Sequence, residues 1–75
     1  MSTTLHLNSE ITGSVWKIDM KPGDAVAVDD TIMVLESMKM EIPVLAPRAG
    51  RIVQLLVAEG QAVKDNQPLA VIEVG

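Results

Sequence analysis

Short apolar segments alternate with polar turn residues along the whole chain. Most of these segments are rich in β-branched residues, and none continues long enough for a helix with one apolar face. The links at residues 21–24 and 58–61 each contain the glycine that a tight turn favours. The pattern predicts an all-β fold of about eight short strands, with the sequences LHL, SVWKI, AVAV, TIMVLE, IPVL, RIVQLL, QAV and PLAVIE.

The second half of the chain repeats the first half. A shift of 37 positions takes residues 4–36 onto residues 41–73 without a gap, and it aligns Gly13 with Gly50 and Gly23 with Gly60. Neither unit can bury its apolar face alone. We therefore expect the two units to close on each other as a small two-sheet barrel or sandwich with approximate two-fold symmetry. The link at residues 37–40 should then lie at the opposite end of the domain from the chain termini.

The composition indicates one small domain, covering residues 1–75. The chain is 48% hydrophobic but has a single aromatic residue, Trp16. We expect an aliphatic core, and we expect Trp16, which aligns with Val53, to lie in it. The chain has no cysteine, which excludes disulfides and thiolate metal sites and suits a reducing compartment. Met1 and the lack of an Ala/Pro-rich lead favour a complete protein.

The charge and the residue types exclude several classes of function. A net charge of −4 argues against a nucleic acid or an anionic membrane as partner and favours basic protein partners. No apolar run is long enough to span a membrane, and the first residues do not resemble a signal peptide, so we expect a cytoplasmic protein. His6 is the only histidine and should lie on a strand surface, without a metal. The Ser, His and Asp residues are scattered, so no catalytic triad is predicted.

The link between the two units departs from the residue preferences of a hairpin turn. A hairpin centred on Met38 and Lys39 would pair Glu36 with Glu41, which places like charges opposite each other. Its two central residues need positive φ, normally supplied by Asn-Gly or Gly-X. Met and Lys adopt that conformation at a cost of about 1 kcal/mol or more each. Such a departure indicates a functional site, and the reactive group placed there is the primary amine of Lys39.

The stretch 36–40, ESMKM, resembles the acceptor motif of the biotin carboxyl carrier family, usually Glu-Ala-Met-Lys-Met. The similarity continues through GDAV, APRAG, EGQAV and QPLAVIE. It implies a biotinyl domain with the barrel-sandwich hybrid fold, a flattened β-barrel of two sheets. Ser37 replaces the usual Ala, a change between small residues. Because the ungapped repeat leaves no room for the protruding thumb of some carriers, the chain is similar to the minimal, thumbless type.

The resemblance also implies a function. Lys39 would carry covalent biotin, attached by a biotin protein ligase, and the arm would shuttle a carboxyl group from a biotin carboxylase to a carboxyltransferase. Met38, Met40, Glu36 and Ser37 would be recognised by these partners. The domain itself would be a non-catalytic carrier, and we expect it to be a monomer when isolated.

Two alternatives stay open at this point. Lipoyl carriers share the fold and the lysine position, although they more often have Asp before the lysine and Ala or Val after it, so lipoate or acceptance of both groups is possible on Lys39. The other alternative is an unmodified β-barrel adaptor whose Met-Lys-Met tip binds a groove in a protein partner.

Overall fold

The computed structural model describes residues 3–75, which form eight strands and no helix. The predicted all-β architecture is confirmed, and within this range no helix is present that could cross a membrane. The expectations that concern Met1 lie outside the described residues. The strands are β1 (Thr3–Asn8), β2 (Gly13–Ile18), β3 (Ala25–Val26), β4 (Thr31–Ser37), β5 (Met40–Leu45), β6 (Gly50–Leu55), β7 (Ala62–Val63) and β8 (Pro68–Val74).

The strands form two four-stranded antiparallel sheets that draw on both halves of the chain. We call the sheet with the order β1-β8-β6-β3 the terminal sheet and the sheet with the order β5-β4-β2-β7 the hairpin sheet. The register repeats with the sequence: Leu5 pairs with Ile72 in one sheet, and the equivalent residues Ile42 and Leu35 pair in the other. The domain measures 39 × 18 × 17 Å. The fold is thus a flattened barrel-sandwich, as predicted.

The turns repeat as faithfully as the strands, although their side chains differ. In the first unit the Lys21 amide donates a hydrogen bond to the Asp24 carboxylate at 3.0 Å. At the equivalent turn the Ala58 amide donates to the side-chain carbonyl of Gln61 at 3.1 Å. A carboxylate and a carboxamide oxygen accept the same bond, so the backbone conformation is kept while the charge is lost.

An aliphatic core fills the space between the sheets. Its largest fully buried members come from both units and include Ile32, Met33, Leu35, Ile52, Leu69 and Ile72. Ser9 is the one buried polar residue among those described, and its hydroxyl donates a hydrogen bond to the Ile11 carbonyl at 2.6 Å. Since no buried side-chain polar atom in residues 3–75 lacks a partner, the core carries no desolvation penalty of that kind.

The prediction that Trp16 lies in the core is wrong. Its side chain is 51% exposed, and that of Val53, its equivalent, is 50% exposed. The pairing of β2 with β4 skips one residue between Val15 and Lys17, so Trp16 is the extra residue of a β-bulge. The same irregularity occurs at Val53 in β6. The bulge directs both side chains away from a core that aliphatic residues already fill.

Replacing Trp16 should therefore cost little stability. We expect Trp16→Val, which copies the residue at the equivalent bulge, to change the free energy of unfolding by less than about 0.5 kcal/mol. Urea denaturation followed by far-UV circular dichroism checks this. Trp16 is the only tryptophan of the chain. Because it is half-exposed, acrylamide should quench the tryptophan fluorescence of the parent domain readily. A loss of several kcal/mol, or emission shielded from acrylamide, would restore the core assignment.

Candidate functional site

A two-residue turn at Met38 and Lys39 joins β4 to β5. Ser37 pairs with Met40 at its base, followed by Glu36 with Glu41, as predicted. The φ angles of Met38 and Lys39 are 51° and 65°, the positive values that such a hairpin turn needs. The other non-glycine residues with positive φ in residues 3–75 are Asp29 and Asn66, whose short polar side chains tolerate this conformation. The strained backbone is therefore at Met38 and Lys39, where the sequence predicted it.

The tip of the hairpin is fully accessible. The side chain of Met38 is 91% exposed and that of Met40 is 60% exposed, and Lys39 between them is also exposed. Within residues 3–75 the single salt bridge joins Lys17 to Asp19, so no carboxylate of this range holds the Lys39 ammonium. Two large apolar side chains in water carry an unfavourable hydration free energy, which contact with a partner would relieve.

Contacts inside the domain fix the base of the hairpin. The Ser37 hydroxyl donates a hydrogen bond to the Thr12 carbonyl at 3.1 Å. The Thr12 side-chain oxygen in turn accepts a bond from the Asp65 amide at 3.2 Å. Gly13 follows directly, and a Cβ atom there would overlap the Glu36 carbonyl oxygen. Ser37, predicted as a recognition residue, is thus half-buried and also ties the hairpin to the strands beside it.

The residue types alone do not identify Gly13 or Thr12 as part of the site. The available signal was the repeat, because Gly13 aligns with Gly50, which is packed in the same way against the Glu73 carbonyl. A glycine kept at the same place in two diverged units, without positive φ, indicates a close approach of backbone rather than a turn.

The predicted site residues lie on a protruding surface and not in a cleft. An open groove of about 400 Å³ runs between β1 and β5, which are the edge strands of the two sheets. It is lined mostly by apolar side chains, and none of residues 36–40 lines it. Among the described residues no group of three or more His, Asp or Glu is placed to hold a metal ion. The amine of Lys39 is presented outward, an arrangement suited to being modified by another protein.

A family model described as "Biotin-requiring enzyme", Biotin_lipoyl, matches residues 7–72. The chain belongs to the biotin/lipoyl attachment family. It is 37% identical over 65 residues to a biotin/lipoyl attachment protein of Bacillus subtilis, covering 87% of this chain and 89% of that one. It is 39% identical over 66 residues to the biotinylated protein TB7.3 homolog of Mycobacterium leprae, covering 88% of this chain and 93% of the relative.

Solved structures of this family share the fold. The Kluyveromyces lactis urea carboxylase superposes with a TM-score of 0.88 and 34% identity, over 93% of this chain and 6% of that chain. The lipoyl domain of the 2-oxoglutarate dehydrogenase complex of Azotobacter vinelandii superposes with a TM-score of 0.72 and 33% identity, over 81% of this chain and 77% of that chain. A small attachment domain of this family is a carrier and does not itself catalyse a reaction.

The packing of Gly13 should control the hairpin of this carrier. We expect Gly13→Ala to destabilise the domain by about 1–3 kcal/mol, because the new methyl group must displace the Glu36 backbone. Gly50→Ala is the matched control in the other sheet, and it should lower the free energy of unfolding by a similar amount. Amide chemical shifts of residues 36–41 should move in the first variant and stay in place in the second. Equal shifts in both variants would contradict a local role for Gly13.

Proposed function

We propose that this protein is a biotin carboxyl carrier and that Lys39 is its biotin attachment site. The observation that carries the proposal is the position of Lys39 in a positive-φ turn, between two exposed methionines, with no carboxylate partner among the described residues. The turn is strained and the methionines are solvated, so the arrangement costs stability. A recognition role for Met38, Lys39 and Met40 explains why that cost is accepted.

Attachment requires only one chemical group from the domain. The Lys39 nitrogen, once it has lost its proton to the ligase, attacks an acyl carbon that the ligase has activated as an adenylate. The amide bond forms and AMP leaves. An exposed primary amine fits this role, and the ligase supplies the base and the activation. When attached, biotin supplies a ureido nitrogen that carries a carboxyl group.

The remaining residues of the site position the amine and are contacted by partners. The two-residue turn, the Ser37–Thr12 hydrogen bond and the packing of Gly13 hold Lys39 at a fixed place relative to the sheets. Met38 and Met40 provide apolar contact area, and Glu36 provides charge. Transfer between two enzyme sites needs weak and reversible contacts, which suit a small exposed tip. The proposed partners are a biotin protein ligase, a biotin carboxylase and a carboxyltransferase, and the isolated domain is proposed to be a monomer.

Similarity to carboxylases supports these partners. The chain is 38% identical over 63 residues to the alpha subunit of mouse methylcrotonoyl-CoA carboxylase, of which it covers 9%. In this relative and in the urea carboxylase, the matching domain is a small part of a much longer chain.

Lipoyl attachment to Lys39, alone or beside biotin, is the second candidate. The chain is 36% identical over 62 residues to a dihydrolipoyllysine-residue succinyltransferase of Bartonella vinsonii, covering 83% of this chain and 15% of the relative. The two flanking methionines favour biotin, because lipoyl domains more often have other residues beside the lysine.

The site of attachment can be tested by mass. Production of the domain with a biotin ligase and biotin should raise the intact mass by one biotinyl group. Lys39→Arg should abolish the gain, because it keeps the positive charge and removes the amine that attacks. Lys21 and Lys64 are internal controls, since they are exposed but lack flanking methionines.

Each other outcome of this experiment points to a different function. A lipoyl increment under a lipoate ligase, without biotin, would favour the lipoyl carrier. No adduct under either ligase would favour an unmodified adaptor. Biotin on Lys21 or Lys64 would contradict the role assigned to the hairpin.

The role of the exposed methionines can be separated from attachment. We expect Met38→Leu to be biotinylated fully but to support overall carboxylation several-fold more slowly. Attachment is expected not to depend on the Met38 side chain, whereas transfer needs the tip to dock at two further enzymes. The rate should be measured with purified, fully biotinylated domain. An unchanged rate would show that Met38 is only an occupant of the turn.

A further inference from the structure

The internal duplication provides two versions of one sheet surface in a single molecule. On the outer side of the hairpin sheet, Ser14, Glu36 and Glu41 lie side by side across β2, β4 and β5. The equivalent row on the terminal sheet holds Arg51, Glu73 and Thr4 across β6, β8 and β1. The two rows have the same backbone geometry, so any difference between them comes from the side chains.

The two rows differ in charge. Arg51 lies directly across from Glu73, and the third residue of that row is neutral, so the formal charges of the row cancel. In the hairpin sheet, serine replaces the arginine and Glu41 replaces the threonine, which leaves two carboxylates opposite each other. Like charges directly across a strand pair are destabilising. The adjoining Lys17 does not offset them, because its ammonium pairs with Asp19 at 3.3 Å.

The neighbouring positions differ in their apolar side chains. Trp16 lies two residues beyond Ser14 on β2, and the β-bulge turns its ring outward from the buried Val15. The terminal sheet has only Val53 at the same bulge. The single aromatic residue of the chain is thus half-exposed on the sheet that carries Lys39, two residues along β2 from Ser14, which pairs with Glu36. We call the surface formed by Trp16, Glu36 and Glu41 the hairpin face.

We propose that the hairpin face is the docking surface for the biotin protein ligase and that it takes an arginine side chain of that enzyme. This inference rests on the proposed function of Lys39. A guanidinium group is planar and weakly hydrated, so it stacks on an indole ring while its N–H groups bind carboxylates. Trp16 supplies the ring, and Glu36 and Glu41 supply two acceptors without a cation of their own. The charge differs from that of the other sheet, because the equivalent row there is formally neutral through Arg51, whereas Ser14 supplies no charge here.

The length of the reactive arm identifies the ligase as the occupant. Before attachment, the acceptor nitrogen is only one lysine side chain from the hairpin, so the active site of the ligase must approach the turn and its flanking strands. After attachment, the reactive group extends further by the acyl chain and ring system of biotin. The carboxylase sites can then be reached with less contact to the sheet. A docking surface directly behind the hairpin is therefore of most use in the attachment step.

The test measures kcat/KM for biotinylation of the intact domain by the biotin protein ligase that modifies it in the mass experiment. Trp16→Val and Glu41→Thr copy the residues at the equivalent positions Val53 and Thr4. Each variant should lower kcat/KM by about five- to ten-fold, mainly through KM, since a stacked or paired guanidinium group is worth about 1 kcal/mol. Val53→Ala, on the other sheet, should leave it unchanged. Added salt should raise the KM of the parent domain more than that of Glu41→Thr.

The outcomes separate this inference from the proposed function. Suppose that the parent domain is modified at Lys39 but Trp16→Val has the same kcat/KM as Val53→Ala. The proposed docking surface is then wrong, and the assignment of Lys39 as the attachment site is kept. If the parent domain takes no biotin at Lys39, the proposed function fails as well.

A binding measurement gives a readout that needs no variant. The domain labelled with 5-fluorotryptophan has one fluorine signal, from position 16. Titration with the ligase, without ATP, should shift or broaden that signal. A signal unchanged at saturating ligase would overturn the docking surface, even if every variant folded poorly.

Discussion

The structure depends on closure of the two halves of the chain on each other. Each sheet takes two strands from each half: β1 and β3 of the first half lie with β6 and β8 of the second, and the other sheet has the reverse arrangement. A single half can form neither sheet completely, and its apolar side would remain in water. Burial of the shared aliphatic core therefore stabilises both halves together, which suits a chain too short for a large core of its own.

This interleaved scaffold supports the strain at the acceptor hairpin. Positive φ at Met38 and Lys39 would disfavour the turn in an isolated peptide. Here β4 is an inner strand, held between β5 and β2, and its buried residues anchor it to the core. Ser37 and Gly13 then fix its last residues against β2 and the loop before it. The domain can thus hold a strained turn with two exposed methionines.

Symmetry of the backbone combined with asymmetry of the side chains explains how so small a domain has one distinct site. Equivalent turns use Asp24 in one unit and Gln61 in the other for the same hydrogen bond. Equivalent sheet surfaces carry opposed carboxylates and Trp16 on one side, and a neutral row with Val53 on the other. Each position in one unit can thus be compared with its equivalent in the other unit. A difference between the two side chains indicates where one copy has acquired a separate role.

The sequence by itself determined the strands, the duplication, the pairing of Glu36 with Glu41 and the unusual turn at Lys39. These features are local or follow from a repeat, so residue types and spacing are sufficient to predict them. Only the tertiary structure decided the position of Trp16, the contact of Ser37 with Thr12 and the tight packing of Gly13. A β-bulge shifts the inward and outward alternation without a signal in the residue types. Gly13 is required by a carbonyl oxygen that belongs to Glu36, a residue distant in the chain. Such contacts exist only once the strands have paired, and for that reason no local pattern predicts them.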